Sequence, residues 1–173
     1  ADIVVHEGSL NKMLDYMKNN NDIAILFPKV LNPDGSIQFL NKREPTLIDV
    51  ALRRMIPNFL SKSKIIKRRM AYYEMRDIGY ESNYDLPLVS GCFMLFDRNF
   101  FKKVQGFDES FFMYFEDFDI CKRVSEAGGR ISYIYSASIT HFWERGSSKN
   151  VNLFLSLIRS MVLYFNKWGW RLW

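Results

Sequence analysis

The chain has 173 residues, enough for one domain with a sizeable core and too few for two of full size. Hydrophobic residues make up 48% and charged residues 25%, which excludes a disordered, collagen-like or disulfide-scaffold protein. The net charge of +5 permits attraction to phosphate or anionic lipid and specifies neither. Cys92 and Cys121 have no second Cys or His at ligand spacing, so neither a disulfide framework nor a zinc cluster is signalled, and a reducing compartment is the simpler assumption. The opening Ala1-Asp2-Ile3-Val4-Val5-His6 lacks the basic flank and apolar run of a secretory leader, and no stretch reaches the roughly 18 apolar residues of a spanning helix. It reads as the interior of a longer chain entered part-way.

From Ser9 to Asn20, Leu10, Met13, Leu14 and Met17 recur at helical spacing, with Ser9 placed to cap. Ile23 to Phe27 predicts a short buried strand ended by Pro28, then a tight turn at Asn32-Pro33-Asp34-Gly35 and an alternating Ser36-Ile37-Gln38. Thr46 to Leu60 carries a helical pattern, and the basic residues from Lys62 to Arg69 read as an exposed excursion. Leu86 to Phe96 predicts one apolar strand interrupted at Gly91, where the missing Cβ lets another group approach the backbone. A helix over Arg98 to Val104 follows, then a ring-dense acidic segment leading into a helix that runs to Ala127 and stops at Gly128-Gly129. Arg130 to Tyr135 and Ala137 to His141 predict two short strands, Glu144 to Asn150 a polar loop, and Val151 to Lys167 a final helix.

The chemistry concentrates where Phe111 to Phe115 precede Glu116, Asp117 and Asp119. Like charges this close raise one another's pKa unless a cation or a helix N-terminus compensates, and the rings deliver the acids into a partly dry setting. One such acid can fix the loop while another takes a proton from a substrate; capped, solvated acids at a helix start are the plainer alternative. His141, after an apolar strand, suits a metal ligand or phosphate contact, with a structural histidine as the alternative. Asp2 stands at a strand boundary and has no readable role of its own.

The ordered set Leu88-Val89-Ser90-Gly91-Cys92-Phe93-Met94-Leu95, Gly106-Phe107-Asp108-Glu109, Phe112-Met113-Tyr114-Phe115-Glu116-Asp117-Phe118-Asp119-Ile120-Cys121-Lys122-Arg123, and His141 with Ser147-Ser148 resembles the family 2 glycosyltransferases, especially the rhamnosyltransferase-like branch. The resemblance spans nearly the whole chain. It implies an α/β protein with part of a GT-A fold, a mixed sheet flanked by helices that serves a nucleotide-sugar and a divalent cation, Mg2+ or Mn2+. It makes Asp117 the general base, with Glu116 beside it and Asp119 supporting the loop and the substrate. Gly91 and Tyr114 face substrate, and Asp2, as the last acid of an Asp-x-Asp motif, joins His141 at the metal. The family's nucleotide-binding half lies upstream of that motif. Residues 1–150 therefore correspond to the acceptor-side part of the domain and 151–173 to a C-terminal amphipathic, aromatic-rich helix.

The expected activity is inverting transfer of a sugar such as rhamnose from a nucleotide-sugar to a glycan or lipid-linked acceptor in cell-surface polysaccharide synthesis. The Trp residues beside Lys and Arg after Lys167 fit peripheral contact with a membrane surface, which places the protein in the cytoplasm at the inner face of a membrane. An exposed sheet edge predicts self-association. Two rivals are a basic, aromatic-rich nucleic-acid-binding module and a metal-dependent hydrolase using Asp117, Asp119 and His141. The first conflicts with rings that interleave with acids rather than with the basic run, so no nucleic acid is expected. The second lacks a further ligand at tight spacing.

Overall fold

A computed structural model describes residues 2–54, 63–142 and 151–173. In chain order the elements are β1 (Ile3–Val5), α1 (Ser9–Lys18), β2 (Ile23–Leu31), β3 (Asn41–Lys42), α2 (Leu47–Arg54), α3 (Lys64–Tyr73), β4 (Tyr84–Asp85), β5 (Leu88–Val89), β6 (Leu95–Phe96), α4 (Arg98–Lys103), α5 (Glu116–Glu126), β7 (Arg130–His141) and α6 (Val151–Trp168). The main sheet has the order β1-β7-β2-β6, with β4 also on β7, and β3 pairs with β5 in a small second sheet. The mixed α/β architecture expected from the sequence is present.

The parallel pair β2 and β7 forms its centre. Residues Ile23 to Pro28 of β2 are all buried, which is why that segment reads as an unbroken apolar run rather than an alternating one. Pro28 does not end the strand. The register shifts between Pro28 and Lys29, where Ser138 rather than Tyr135 takes the next pairing place on β7. Proline is tolerated at such an irregularity because the ladder there needs no N–H from it. The same shift makes one bent strand of the two expected between Arg130 and His141.

Other departures follow from local chemistry. Ser9 is the first residue of α1, not its cap. Gly8 takes that place at φ 71, and the Ser9 hydroxyl accepts the Ser138 N–H, tying the helix to β7. Of the expected apolar stripe only Met13 is fully buried, packed against Ile23, Leu26, Ile134 and Ala137, while Leu10 and Leu14 are exposed. The turn at residues 32–35 forms, but Ser36 to Gln38 contributes a single bridge, Leu31 to Ile37. α2 begins with reciprocal bonds between Thr46 and Asp49, and its expected continuation to Leu60 lies outside the described residues beyond Arg54. Part of the supposed basic excursion is the helix α3, fastened where Arg69 donates to Asp49 and Thr46; Lys62 lies outside the described residues.

The larger core gathers Ile25, Phe27, Val89, Ile120, Val124, Tyr133 and Phe165 with their neighbours. Against it sits a fully buried cation, Lys42 of β3, with its Nζ 3.4 Å from Glu74. Burial lowers the Lys42 ammonium from 10.5 to about 7, the charge of Arg53 adds to this, and Glu74 opposes it. Between those two pH values the unfolded chain binds a proton that the folded chain does not, so this group's contribution to stability rises with pH across the window. The variant Lys42→Met is therefore expected to melt higher than the unaltered chain near pH 7, with the gap closing toward pH 10.5. A gap independent of pH contradicts the assignment.

Candidate functional site

The expected apolar strand around Gly91 is two short strands in different sheets: β5 pairs with β3, and β6 pairs antiparallel with β2. Gly91 lies in the corner between them. The group that approaches its backbone is Asp117, whose Oδ2 accepts the Gly91 N–H at 2.8 Å. A Cβ built on Gly91 would stand 3.1 Å from the Cβ of Asp117. Asp117 Oδ1 accepts the Phe118 N–H at 2.8 Å. Burial raises the Asp117 carboxyl above its ordinary value, while these two N–H groups and the charge of Arg53 pull it back. Spacing alone did not reveal the contribution of Arg53.

Tyr114 and Phe115 place the acids. Both adopt left-handed backbone, φ 69 and 65, which costs side-chain-bearing residues about 1 kcal/mol or more each. No side chain caps α5; Phe115 occupies the cap and packs edge-on against Phe118 and beside Tyr164. The acids enter the first turn, where the helix dipole favours negative charge. Their environments then diverge. Glu116 is half-buried, its Oε2 has no hydrogen-bond partner among the described residues, and burial followed by the Asp117 charge raises its carboxyl.

Asp119 is wholly enclosed. Its carboxylate accepts from Arg123 Nε at 2.7 Å and Trp168 Nε1 at 2.9 Å, and Lys167 Nζ lies 2.8 Å away. Asp119 thus clamps α6 to α5, in keeping with loop support, but its side chain reaches no surface where a substrate could touch it.

The structure brings Asp2 and His141 together. Ile3 and His141 are register partners across β1 and β7, Phe142 N donates to Asp2 O at 2.7 Å, and His141 Nε2 lies 3.5 Å from Asp2 Oδ2. The opposite ring nitrogen, Nδ1, is 2.9 Å from Gln38 Oε1. Sequence reasoning missed Gln38; its place just after the turn at residues 32–35 was the available signal. Cys92 follows Gly91 in the chain; burial pushes its thiol up to about 12, and the charges of both Asp117 and Asp2 add to that. No group of three or more His, Cys, Asp or Glu is poised for a metal among the described residues. A nitrogen and a carboxylate oxygen suit Mg2+ or Mn2+ as a partial set, since such ions keep waters and phosphate oxygens as further ligands. Ser147-Ser148 lies outside the described residues.

A cavity of about 430 Å3, lined by Asp22, Asp85, Ser125, Gly129 and Arg130 among others, sits at the far end of α5. One helix length, about 16 Å, separates it from the acids. Its charges are already matched, because Arg130 pairs with both Asp22 and Asp85. Of the acids, Glu116 and Asp117 are half-buried and Asp119 is enclosed. Of the terminal tryptophans, Trp168 bonds Asp119, Trp170 stacks on Phe165, and Trp173 is exposed beside Arg69. No helix among the described residues is long and apolar enough to cross a membrane.

The family model described as the N-terminal domain of galactosyltransferase matches residues 69–144, which include Gly91, the three acids and His141. An N-acetylglucosaminyl-diphospho-decaprenol L-rhamnosyltransferase of Mycobacterium tuberculosis is 28% identical over 137 residues, 78% of this chain and 42% of that protein. Rhamnosyltransferase WbbL of Escherichia coli is 42% identical over 65 residues, covering 36% of this chain and 25% of its own length. The chain thus spans less than half the length of the curated relatives it matches. A crystal structure of GalNAc-T7 with UDP, GalNAc and Mn2+ superposes with a TM-score of 0.56 at 15% identity, covering 96% of this chain and 30% of that one. In sequence the chain is similar to these glycosyltransferases, and its mixed, helix-flanked sheet is similar to the fold of the GalNAc-T7 structure.

Proposed function

We propose that the chain supplies the acceptor side of a glycosyltransferase that moves a sugar such as rhamnose, with inversion, from a nucleotide-sugar to a glycan or lipid-linked acceptor. The observation that carries this reading is the Asp117 carboxylate, fixed at a helix start by the Gly91 and Phe118 N–H groups and raised by burial above its ordinary value, the direction that makes a carboxylate a stronger base. The named rhamnosyltransferase relatives support the substrate class.

In this reading Asp117 accepts the proton of an acceptor hydroxyl as its oxygen bonds to the anomeric carbon. The bond from that carbon to the donor's diphosphate breaks, and the diphosphate leaves with the electron pair. The N–H bonds hold Asp117 in place so that no reorganisation is needed at that moment. Glu116, whose Oε2 is buried with no hydrogen-bond partner among the described residues, stands beside the base. Gly91 keeps the corner narrow, and Tyr114 offers a ring beside the acids. Asp2 and His141 would hold a divalent cation, consistent with the Mn2+ in the GalNAc-T7 structure; when bound, such an ion neutralises charge on a departing diphosphate.

The domain reading, residues 1–150 as acceptor-side unit and 151–173 as a terminal helix, belongs to the same proposal. So does peripheral contact with the inner face of a membrane. Exposed Phe112 on the acidic loop, Val151, Phe154 and Leu155 on α6, and the exposed Trp170 and Trp173 support that contact.

Asp117→Asn is expected to lower transfer by about a hundredfold to ten-thousandfold in the full-length protein, with donor affinity little changed. Full retained transfer would sink the assignment. Because the base must be ionised and its pKa is raised, activity should fall with decreasing pH along a limb lying above the usual carboxylate range. Gly91→Ala, whose new methyl meets Asp117 at 3.1 Å, should lower turnover by about tenfold to a hundredfold while the melting temperature stays close to that of the unaltered protein. Equal activity would mean the corner relaxes without moving the acid.

A further inference from the structure

Gln38 is buried, 8% exposed, and both ends of its amide engage His141. Nε2 donates to the His141 carbonyl oxygen at 2.7 Å, and Oε1 lies 2.9 Å from His141 Nδ1. A carbonyl oxygen only accepts, so the amide atom facing it must be the nitrogen. That turns Oε1, which also only accepts, toward Nδ1, and Nδ1 must therefore carry a hydrogen. A neutral imidazole has one N–H, so Nε2 is left with its lone pair, 3.5 Å from Asp2 Oδ2. Two acceptors then face one another across a gap that neither can fill.

The surrounding backbone leaves little other freedom. Gln38 N donates to Val30 O at 2.8 Å, which fixes it to β2, and the pairing of β1 with β7 fixes Asp2 opposite His141. What remains variable is the ring proton. The neutral form with hydrogen on Nε2 would donate to Asp2 and close the gap internally; a hydrogen bond to Gln38 Oε1 excludes that form.

We infer that Gln38 is a positioning residue that holds His141 with its proton on Nδ1, so that Nε2 and the Asp2 carboxylate present a nitrogen and an oxygen donor to one divalent cation. This rests on the reading of Asp2 and His141 as the cation-holding pair. The role is indirect: Gln38 acts through the ring and touches neither cation nor substrate. Outer partners of metal-binding histidines typically tune affinity by about ten- to a hundredfold.

The test is 15N spectroscopy of the histidine rings in the full chain at alkaline pH, where imidazole is neutral, followed by titration with Mn2+. The unaltered chain should show His141 protonated on Nδ1 and its signals broadened by Mn2+. Gln38→Met should move the proton to Nε2 and weaken Mn2+ binding by about ten- to a hundredfold. Gln38→Glu, which can still accept from Nδ1–H, should keep the proton on Nδ1. His6, held between Ser138 and Thr140, reports in each variant that the strands remain paired. Retention of the Nδ1 proton in Gln38→Met, or its absence from the unaltered chain, overturns the inference. An Nδ1 proton that responds to Gln38 substitution without any Mn2+ effect at His141 supports the clamp and overturns the cation reading.

Discussion

The hydrogen bond from Gly91 N–H to Asp117 is the constraint on which the arrangement turns. It joins the corner between β5 and β6 to the first turn of α5, and that corner is where the small sheet meets the large one. Burying a carboxylate is costly unless donors replace the lost water. Here two backbone N–H groups, a helix start and the nearby charge of Arg53 supply that replacement. The acid can then be half-buried and ionisable, and the fold can place it without a flexible loop.

The three acids of the α5 start show how environment divides labour among identical chemistries. Asp119 is neutralised by Arg123 and Lys167 and bonded by Trp168, so it fastens the terminal helix. Removing one partner of such an enclosed set typically costs about 3–5 kcal/mol, because the remaining charges stay buried without a counterpart. Asp117 is compensated by dipoles and partly by charge, and Glu116 is left with an unmatched oxygen. Left-handed Tyr114 and Phe115 are the local strain that sets this ordering, held in place by ring packing onto α6.

Much of this was legible in the sequence. Helical spacing located α1 and the start of α2, helices were expected where α4, α5 and α6 lie, and Gly128-Gly129 marked the end of α5, because those signals are local. The motif order pointed to Asp2 and His141 together, and β-pairing does bring them within 3.5 Å. What escaped was non-local. Pro28 looked like a strand terminator because its tolerance depends on a register shift in a strand a hundred or so residues away. The two-residue strands β3 and β4 carry too few residues for any period. α3 was hidden by its charges, since the Asp49 that neutralises Arg69 lies on another helix. Gln38 and Arg53 act through partners distant in sequence, and no spacing rule reports such partners.

The parallel pairing of β2 with β7 also bears on how the chain reaches this structure. Its register partners, from Ile23 with Arg130 to Leu31 with Thr140, are separated by about a hundred residues, and β1, α1, β4, β6 and α5 all pack on the pair they form. Closing so long a loop costs only slightly more entropy than closing a short one, yet high contact order slows folding by orders of magnitude. Until β7 has been synthesised and docks, the apolar run of β2 stays uncovered. Over the roughly hundred residues of synthesis that separate the two strands, the nascent chain exposes Ile23 to Leu31 as an aggregation-prone segment.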